Sequence, residues 1–264
     1  MHSPARPTGT QAIERAILLV KLLTTRGQFG WGLTELARRA GLEKATVHRI
    51  LACLEAERLV ERDSQEHRYF AGPMLLELGL SVAAYPQLLA EGRATAGRLA
   101  RRTGGVGFFY LRSGADFVVA ARIEQGSPRG MLNEQGYRRP LMMSAGGVAM
   151  LIALPADERA AVVTRNLEEM AIMGVQRPER FVNMLERSLT LGYSANLEDV
   201  VPGINSFARA VPDRAGLPLG SLAVAGEAAR ISVAQAERWA ELLAEETAAL
   251  AEFAPRAATG RQAA

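Results

Sequence analysis

The stretch LTELARRAGLEKATVHRIL, Leu33 to Leu51, meets the steric demands of two short helices crossing steeply at a tight turn. Such a crossing needs a small residue where the backbones meet, and Ala37 stands there. The turn needs a residue tolerant of positive φ, which Gly41 supplies. Val47 and Ile50 fall where the later helix must be apolar to lock onto the earlier one, with Leu51 and Leu54 continuing its inner face. Its first turns then direct Lys44, Ala45, Thr46, His48 and Arg49 outward. Short side chains that permit close approach, mixed with basic and hydroxyl groups, suit a helix entering the major groove of DNA.

Working outward, Ile13, Ile17, Val20 and Leu23 recur at helical spacing from Gln11 to Leu23 and predict an amphipathic helix. Thr34 is the expected N-cap of the helix to Ala40, and the next helix runs from about Lys44 to Glu57. Leu59 to Arg62 and Arg68 to Phe70 read as two strands around the polar turn Asp63 to Glu66, a hairpin of the kind called a wing. Arg68 on it is a further DNA-contact candidate, as is Thr34. The same spacings would suit a plain three-helix packing element with a solvated basic face, but turn chemistry, helix lengths and hairpin agree on the DNA-reading unit. Cys53, late in the third helix, reads as a small buried packing residue.

Pro73 can begin a linker helix over Met74 to Ala84, whose Leu75, Leu76, Leu78, Leu80 and Val82 are too many for one buried face. It is expected to pack on the wing and on a partner subunit. Beyond it the pattern is mixed: a helix to about Arg102, strands Val106 to Leu111 and Phe117 to Ile123, and helices Ala145 to Leu154, Ala156 to Asn166 and Pro178 to Leu191. Strands Ile204 to Val211 and Leu219 to Ala225 follow, then a helix from Ser232, a candidate N-cap, to Phe253. The expected fold is α+β: a winged helix-turn-helix domain over 10–72, a linker helix over 73–85, a ligand-binding domain over 86–254, and flexible tails at 1–9 and 255–264.

Composition sets limits. With 48% hydrophobic and 22% charged residues, the 264-residue chain is ordinary for core-forming protein. Met1 to Thr10 lacks the apolar core of a signal peptide and no stretch has the length of a membrane span, so a cytoplasmic place without membrane attachment is expected. One cysteine excludes an internal disulfide. The net charge of +3 identifies no nucleic-acid binder by itself; the placement of charge on particular helices does. His2, His48, His67, Cys53, Lys21 and Lys44 all precede residue 86. Neither a Ser-His-Asp or Cys-His nucleophile nor a Schiff-base lysine can therefore be assembled in the second domain, and an ordinary His/Cys metal site is excluded there. No enzyme, cofactor or metal is expected. A sensor remains, needing an apolar concavity with a few convergent polar groups. Leu141 to Gly147, with Met142, Met143, Ser144, Ala145 and Gly146, can supply one: small residues opening a helix expose backbone N–H groups and the positive end of its dipole, which favour a carboxylate.

Several runs in the chain resemble the IclR family of bacterial transcription regulators. The densest are Gln11 to Ala16, Leu33 to Leu42, Thr46 to Leu51 and Leu59 to Arg62; Gly72-Pro73 and Leu76 to Gly79 continue it. Sparser matches are Arg138 to Leu141, Ala145 with Gly147 and Ala149, Gly192-Tyr193 and Pro202 to Ile204. The resemblance implies a GAF-like effector domain with a curved antiparallel sheet flanked by helices. It also implies a dimer or dimer of dimers on a pseudo-palindromic double-stranded DNA operator. It places an effector at the backbone of Ala145 and Gly146 and beside Asn196, Ser206, Ala223 and Ala225. Family members that bind small oxo-acids commonly carry Asp at the position of Asn196, Cys at that of Ser206, and Ser at those of Ala223 and Ala225. The lost hydroxyls point to a larger, partly apolar organic acid, an aromatic one for example, with Phe108, Tyr110, Met142 and Met143 as candidate walls. A ligand-independent architectural or partner-binding protein with a DNA-binding head is the alternative.

Overall fold

The computed structural model describes residues 9–124 and 134–255. The expected tails therefore lie outside the described residues, apart from Gly9 and Pro255. The chain forms two compact units that divide between Ala83 and Ala84.

The first unit contains α1 (Gln11–Leu23), β1 (Trp31–Gly32), α2 (Leu33–Ala40), α3 (Lys44–Ala56), β2 (Val60–Arg62), β3 (Arg68–Ala71) and α4 (Pro73–Leu80). β1, β3 and β2 form a small antiparallel sheet in that order. Gly41 takes φ +64, and the N–H of Leu42 bonds to the carbonyl of Ala37 at 3.1 Å, closing α2 in the left-handed manner its sequence foretells. Leu19, Leu22, Leu23, Leu36, Ala37, Val47, Leu51, Val60 and Tyr69 pack together around Trp31, whose indole N–H bonds to Leu22 O at 2.8 Å.

Four expectations change. Thr34 caps nothing: Gly32 precedes α2 in an extended conformation, because pairing of β1 with β3 carries the strand up to the helix, and Thr34 is an exposed residue of its first turn. The inward face of α1 is Leu19, Leu22 and Leu23, whereas Ile13 (62% exposed) and Ile17 (50%) face solvent. Cys53 is exposed, since two residues beyond buried Leu51 lie about 200° round a helix. The linker helix stops at Leu80, where Ser81 and Val82 make tightened bonds to Leu78 and Gly79; none of its residues is buried.

The second unit runs α5 (Pro86–Thr103), β4 (Val106–Ser113), β5 (Asp116–Glu124), β6 (Arg138–Pro140), α6 (Ala145–Ile152), α7 (Ala156–Ile172), α8 (Glu179–Leu191), β7 (Ser194–Leu197), β8 (Ile204–Pro212), β9 (Pro218–Glu227) and α9 (Ala236–Ala251). Its strands form one antiparallel sheet in the order β6-β5-β4-β9-β8-β7. Helices cover both faces. Phe109, Phe207, Leu222 and Val224 pack with Leu88 and Leu99 of α5 and Trp239 and Leu243 of α9. On the other face Val106, Phe108, Tyr110, Phe117, Ala208, Ala223 and Ala225 pack with α6, Met170 of α7 and Met184 of α8. β4 is accordingly buried on both sides over Val106 to Tyr110, as its unbroken apolar run requires. Among the described residues no helix is long and apolar enough to cross a membrane.

Candidate functional site

Two regions carry the candidate residues. In the first unit, the N-terminal half of α3 presents Lys44, Ala45, His48 and Arg49 exposed, with Thr46 half-buried beside them. Leu33, Lys44, Ala45, His48 and Arg49 line a single open recess. Its basic groups contrast with those nearby. Arg26 pairs with Glu35 at 2.8 Å and Arg58 with Glu77, whereas Lys44, His48 and Arg49 have no hydrogen bond or ion pair among the described residues. Burial of Val47 and Leu51 on the opposite side fixes this rotation of the helix, so the unpaired cations face outward as a consequence of core packing.

Arg68 differs from the other basic candidates. Its guanidinium donates to the carbonyls of Phe29 and Gly30 at 3.0 and 3.3 Å and lies 3.7 Å from Glu66. It ties the hairpin to the segment before β1. The hairpin turn is closed by Asp63, whose carboxylate accepts the N–H groups of Gln65 and Glu66. The Glu66 bond first, then that from Gln65, holds the Asp63 carboxyl below its ordinary pKa. Glu35, hydrogen-bonded to Arg26, is likewise lowered.

In the second unit, strand register puts the effector candidates on one face. Asn196 stands opposite Ser206, Ser206 opposite Ala225, and Ala223 opposite Phe108. The Tyr110 ring stacks on Phe108 with centroids 5.3 Å apart and meets Phe117 edge-on at 5.0 Å. α6 lies over this face. Ser144 caps it, its hydroxyl accepting the N–H of Gly147 at 2.9 Å while its carbonyl accepts that of Val148. The N–H groups of Ala145 and Gly146, both buried, make no hydrogen bond among the described residues. Gly146 lets the helix come close to the sheet: a Cβ there would stand 2.3 Å from the Tyr110 ring and 3.0 Å from Ser221 Oγ.

The structure brings together Phe108, Tyr110, Met142, Ser144, Ala145, Gly146 and Ala223 in one buried cluster at the start of α6, with Met143 at its half-buried margin. Asn196 and Ser206 share the face but satisfy one another: Asn196 Nδ2 donates to Ser206 Oγ at 3.0 Å, and its Oδ1 accepts the N–H of Val200. Asn196 and the acceptor side of the Ser206 hydroxyl are thus engaged within the protein, and the first turn of α6 is a further polar end of the cluster. Two contributors escape sequence reading. Asn166 on α7, 1% exposed, accepts from Met142 N and donates to Ala115 O, latching the segment ahead of α6. Ser221 shares the period-two face of Ala223 and Ala225, and that parity would have found it.

An outward basic helix in a winged helix-turn-helix unit, followed by a two-faced α+β unit with unsatisfied donors at a buried helix start, defines a DNA-binding regulator with a sensory domain. The chain belongs to the IclR family of transcription regulators. Residues 12–64 match the IclR helix-turn-helix domain, and residues 83–251 match the bacterial transcriptional regulator IclR C-terminal domain. The glycerol operon regulatory protein of Streptomyces coelicolor is 32% identical over 230 residues, spanning 84% of this chain and 86% of that protein. Among solved structures, an IclR family transcriptional regulator from Brucella abortus shares the fold with TM-score 0.72 at 18% identity, covering 94% of each chain. An IclR homolog from Microbacterium hydrocarbonoxydans, crystallised with 4-hydroxybenzoate, does so with TM-score 0.66 at 17% identity, covering 92% of this chain and 98% of that one.

Proposed function

We propose that this regulator reads a pseudo-palindromic operator as a dimer or dimer of dimers and responds to a small organic acid with an apolar, aromatic body. On the DNA side, Lys44, Ala45, Thr46, His48 and Arg49, with Thr34 on the preceding helix, form the contacting surface. The unpaired charges support this, because cations already neutralised by carboxylates would release no counterions on meeting phosphate. Arg68 acts by holding the wing in place.

The observation that carries the sensory reading is the pair of buried N–H groups of Ala145 and Gly146, without an acceptor among the described residues, at the positive end of α6. A carboxylate satisfies both. The surroundings, Phe108, Tyr110, Met142, Ala223 and Ala225, offer apolar contact, and Arg122, opposite Phe108, is already paired with Glu124, which favours an aromatic or similarly apolar body over a small oxo-acid. The acid controls DNA binding only through its differential affinity for the arrangements the dimer can adopt. The unburied apolar side chains of α4, Leu76, Leu78 and Leu80, with Ile13 and Ile17 of α1, support a face covered by a second copy.

Calorimetric titration of the full chain with benzoate, 4-hydroxybenzoate, phenylacetate, glyoxylate and pyruvate tests the reading. Binding of one of the aromatic acids is expected. Preferential binding of glyoxylate or pyruvate would overturn the ligand class, and binding of none would return the ligand-independent alternative.

A further inference from the structure

Ser221 is fully buried, on β9 opposite Tyr110, and its hydroxyl has no hydrogen-bond partner among the described residues. A buried hydroxyl without a partner is costly, and one that lies beside other unsatisfied donors is a candidate ligand group. Ser221 Oγ lies 3.0 Å from the point where a Gly146 Cβ would stand, directly against the first turn of α6. Ser221 thus lies against the turn that carries two further groups without a partner among the described residues, the N–H of Ala145 and the N–H of Gly146. Each can donate, and together they suit an acceptor with more than one oxygen.

We infer that Ser221 is the third hydrogen-bonding ligand of the carboxylate bound at the start of α6, donating to the ligand while the Ala145 and Gly146 N–H groups hold its charge. This rests on the sensory reading above and assigns a specificity-determining residue to it. The Tyr110 ring occupies the space over Gly146 and stacks on Phe108, which puts aromatic surface beside these donors.

Ser194 provides an internal control. It too is fully buried, with a hydroxyl that has no partner among the described residues, but it lies on edge strand β7 opposite Ala208, two strands from β9. The test compares the full-length wild type, Ser221→Ala and Ser194→Ala by thermal unfolding without ligand and by calorimetry with the tightest-binding acid of the panel. Removing an orphaned hydroxyl raises the ligand-free melting temperature of both variants, by about 2–4 °C. Only Ser221→Ala is expected to weaken the acid, by roughly ten- to a hundredfold, the loss expected for a hydrogen bond to a charged group. Opposite signs for stability and affinity in one variant cannot come from a purely structural role. Unchanged affinity in Ser221→Ala, or an equal loss in Ser194→Ala, would overturn the assignment while leaving the sensory reading standing. Failure of the wild type to bind any acid would overturn both.

Discussion

Gly146→Ala is the sharpest perturbation of the sensory domain. The added methyl would stand 2.3 and 2.4 Å from two carbons of the Tyr110 ring, where carbon atoms in contact keep about 3.5–4.0 Å. The ring must retreat by more than about 1 Å. It is 3% exposed and held by stacking on Phe108 and edge contact with Phe117, so retreat strains both aromatic pairs, each worth about 0.5–1.5 kcal/mol. Overpacking of this kind costs about 1–3 kcal/mol, and the better helix propensity of alanine returns up to about 1 kcal/mol. A net destabilisation of about 1–2 kcal/mol lowers the melting temperature of a domain this size by roughly 2–8 °C. Scanning calorimetry of the full chain reads the shift, and titration reads acid binding, which the methyl should weaken at least tenfold by crowding the two free N–H groups. The shift is opposite in sign to that expected for Ser221→Ala. An unchanged or raised melting temperature with normal acid binding would mean that Tyr110 does not occupy the space over Gly146, and the packing described for the start of α6 would fall.

Other consequences follow from the first unit. Leu76 and Leu80 are 67% and 74% exposed on a helix with no buried residue; replacing both with glutamate should dissociate the proposed dimer while preserving helix content, and an unchanged sedimentation coefficient would remove α4 from the proposed interface. Glu35 and Asp63 have pKa values lowered by folding. Each therefore contributes stability in full above its unfolded value of about 4 and loses it as pH falls through the lowered folded value. Both are close to the surface, so the effect is small; Glu35→Gln should flatten part of the acid-range dependence of the urea midpoint, and an identical profile would show that the Arg26 pair adds nothing.

What the sequence disclosed was local. Gly41, Ala37, Val47 and Leu51 announce the helix-turn-helix because turn chemistry and helical spacing act within a few residues, and the outward set from Lys44 to Arg49 follows from them. The exposed half of α1 was not readable, since Ile13 and Ile17 are as apolar as Leu19 and Leu22, and periodicity does not say which apolar stripe meets the core of the same chain. Thr34 is displaced from the cap by pairing of Trp31 and Gly32 with the wing, a contact nearly forty residues away in sequence. β1, β6 and β7 have two to four residues and no alternating apolar pattern, so only their sheet partners define them. The orphaned donors at Ala145, Gly146 and Ser221 depend on how near α6 approaches β9, which no single segment encodes.

Quantitative footprinting of the upstream region of the protein's own gene, over a range of salt concentrations, bears most directly on the role of α3. Protection of two half-sites about one helical turn or a multiple apart is expected. Arg49→Ala should weaken it by about 1–3 kcal/mol if Arg49 reads a base, or reduce the salt slope by about one if it meets phosphate. Protection by Arg49→Ala and Lys44→Ala equal to wild type at every salt concentration would contradict an outward-facing, DNA-contacting α3.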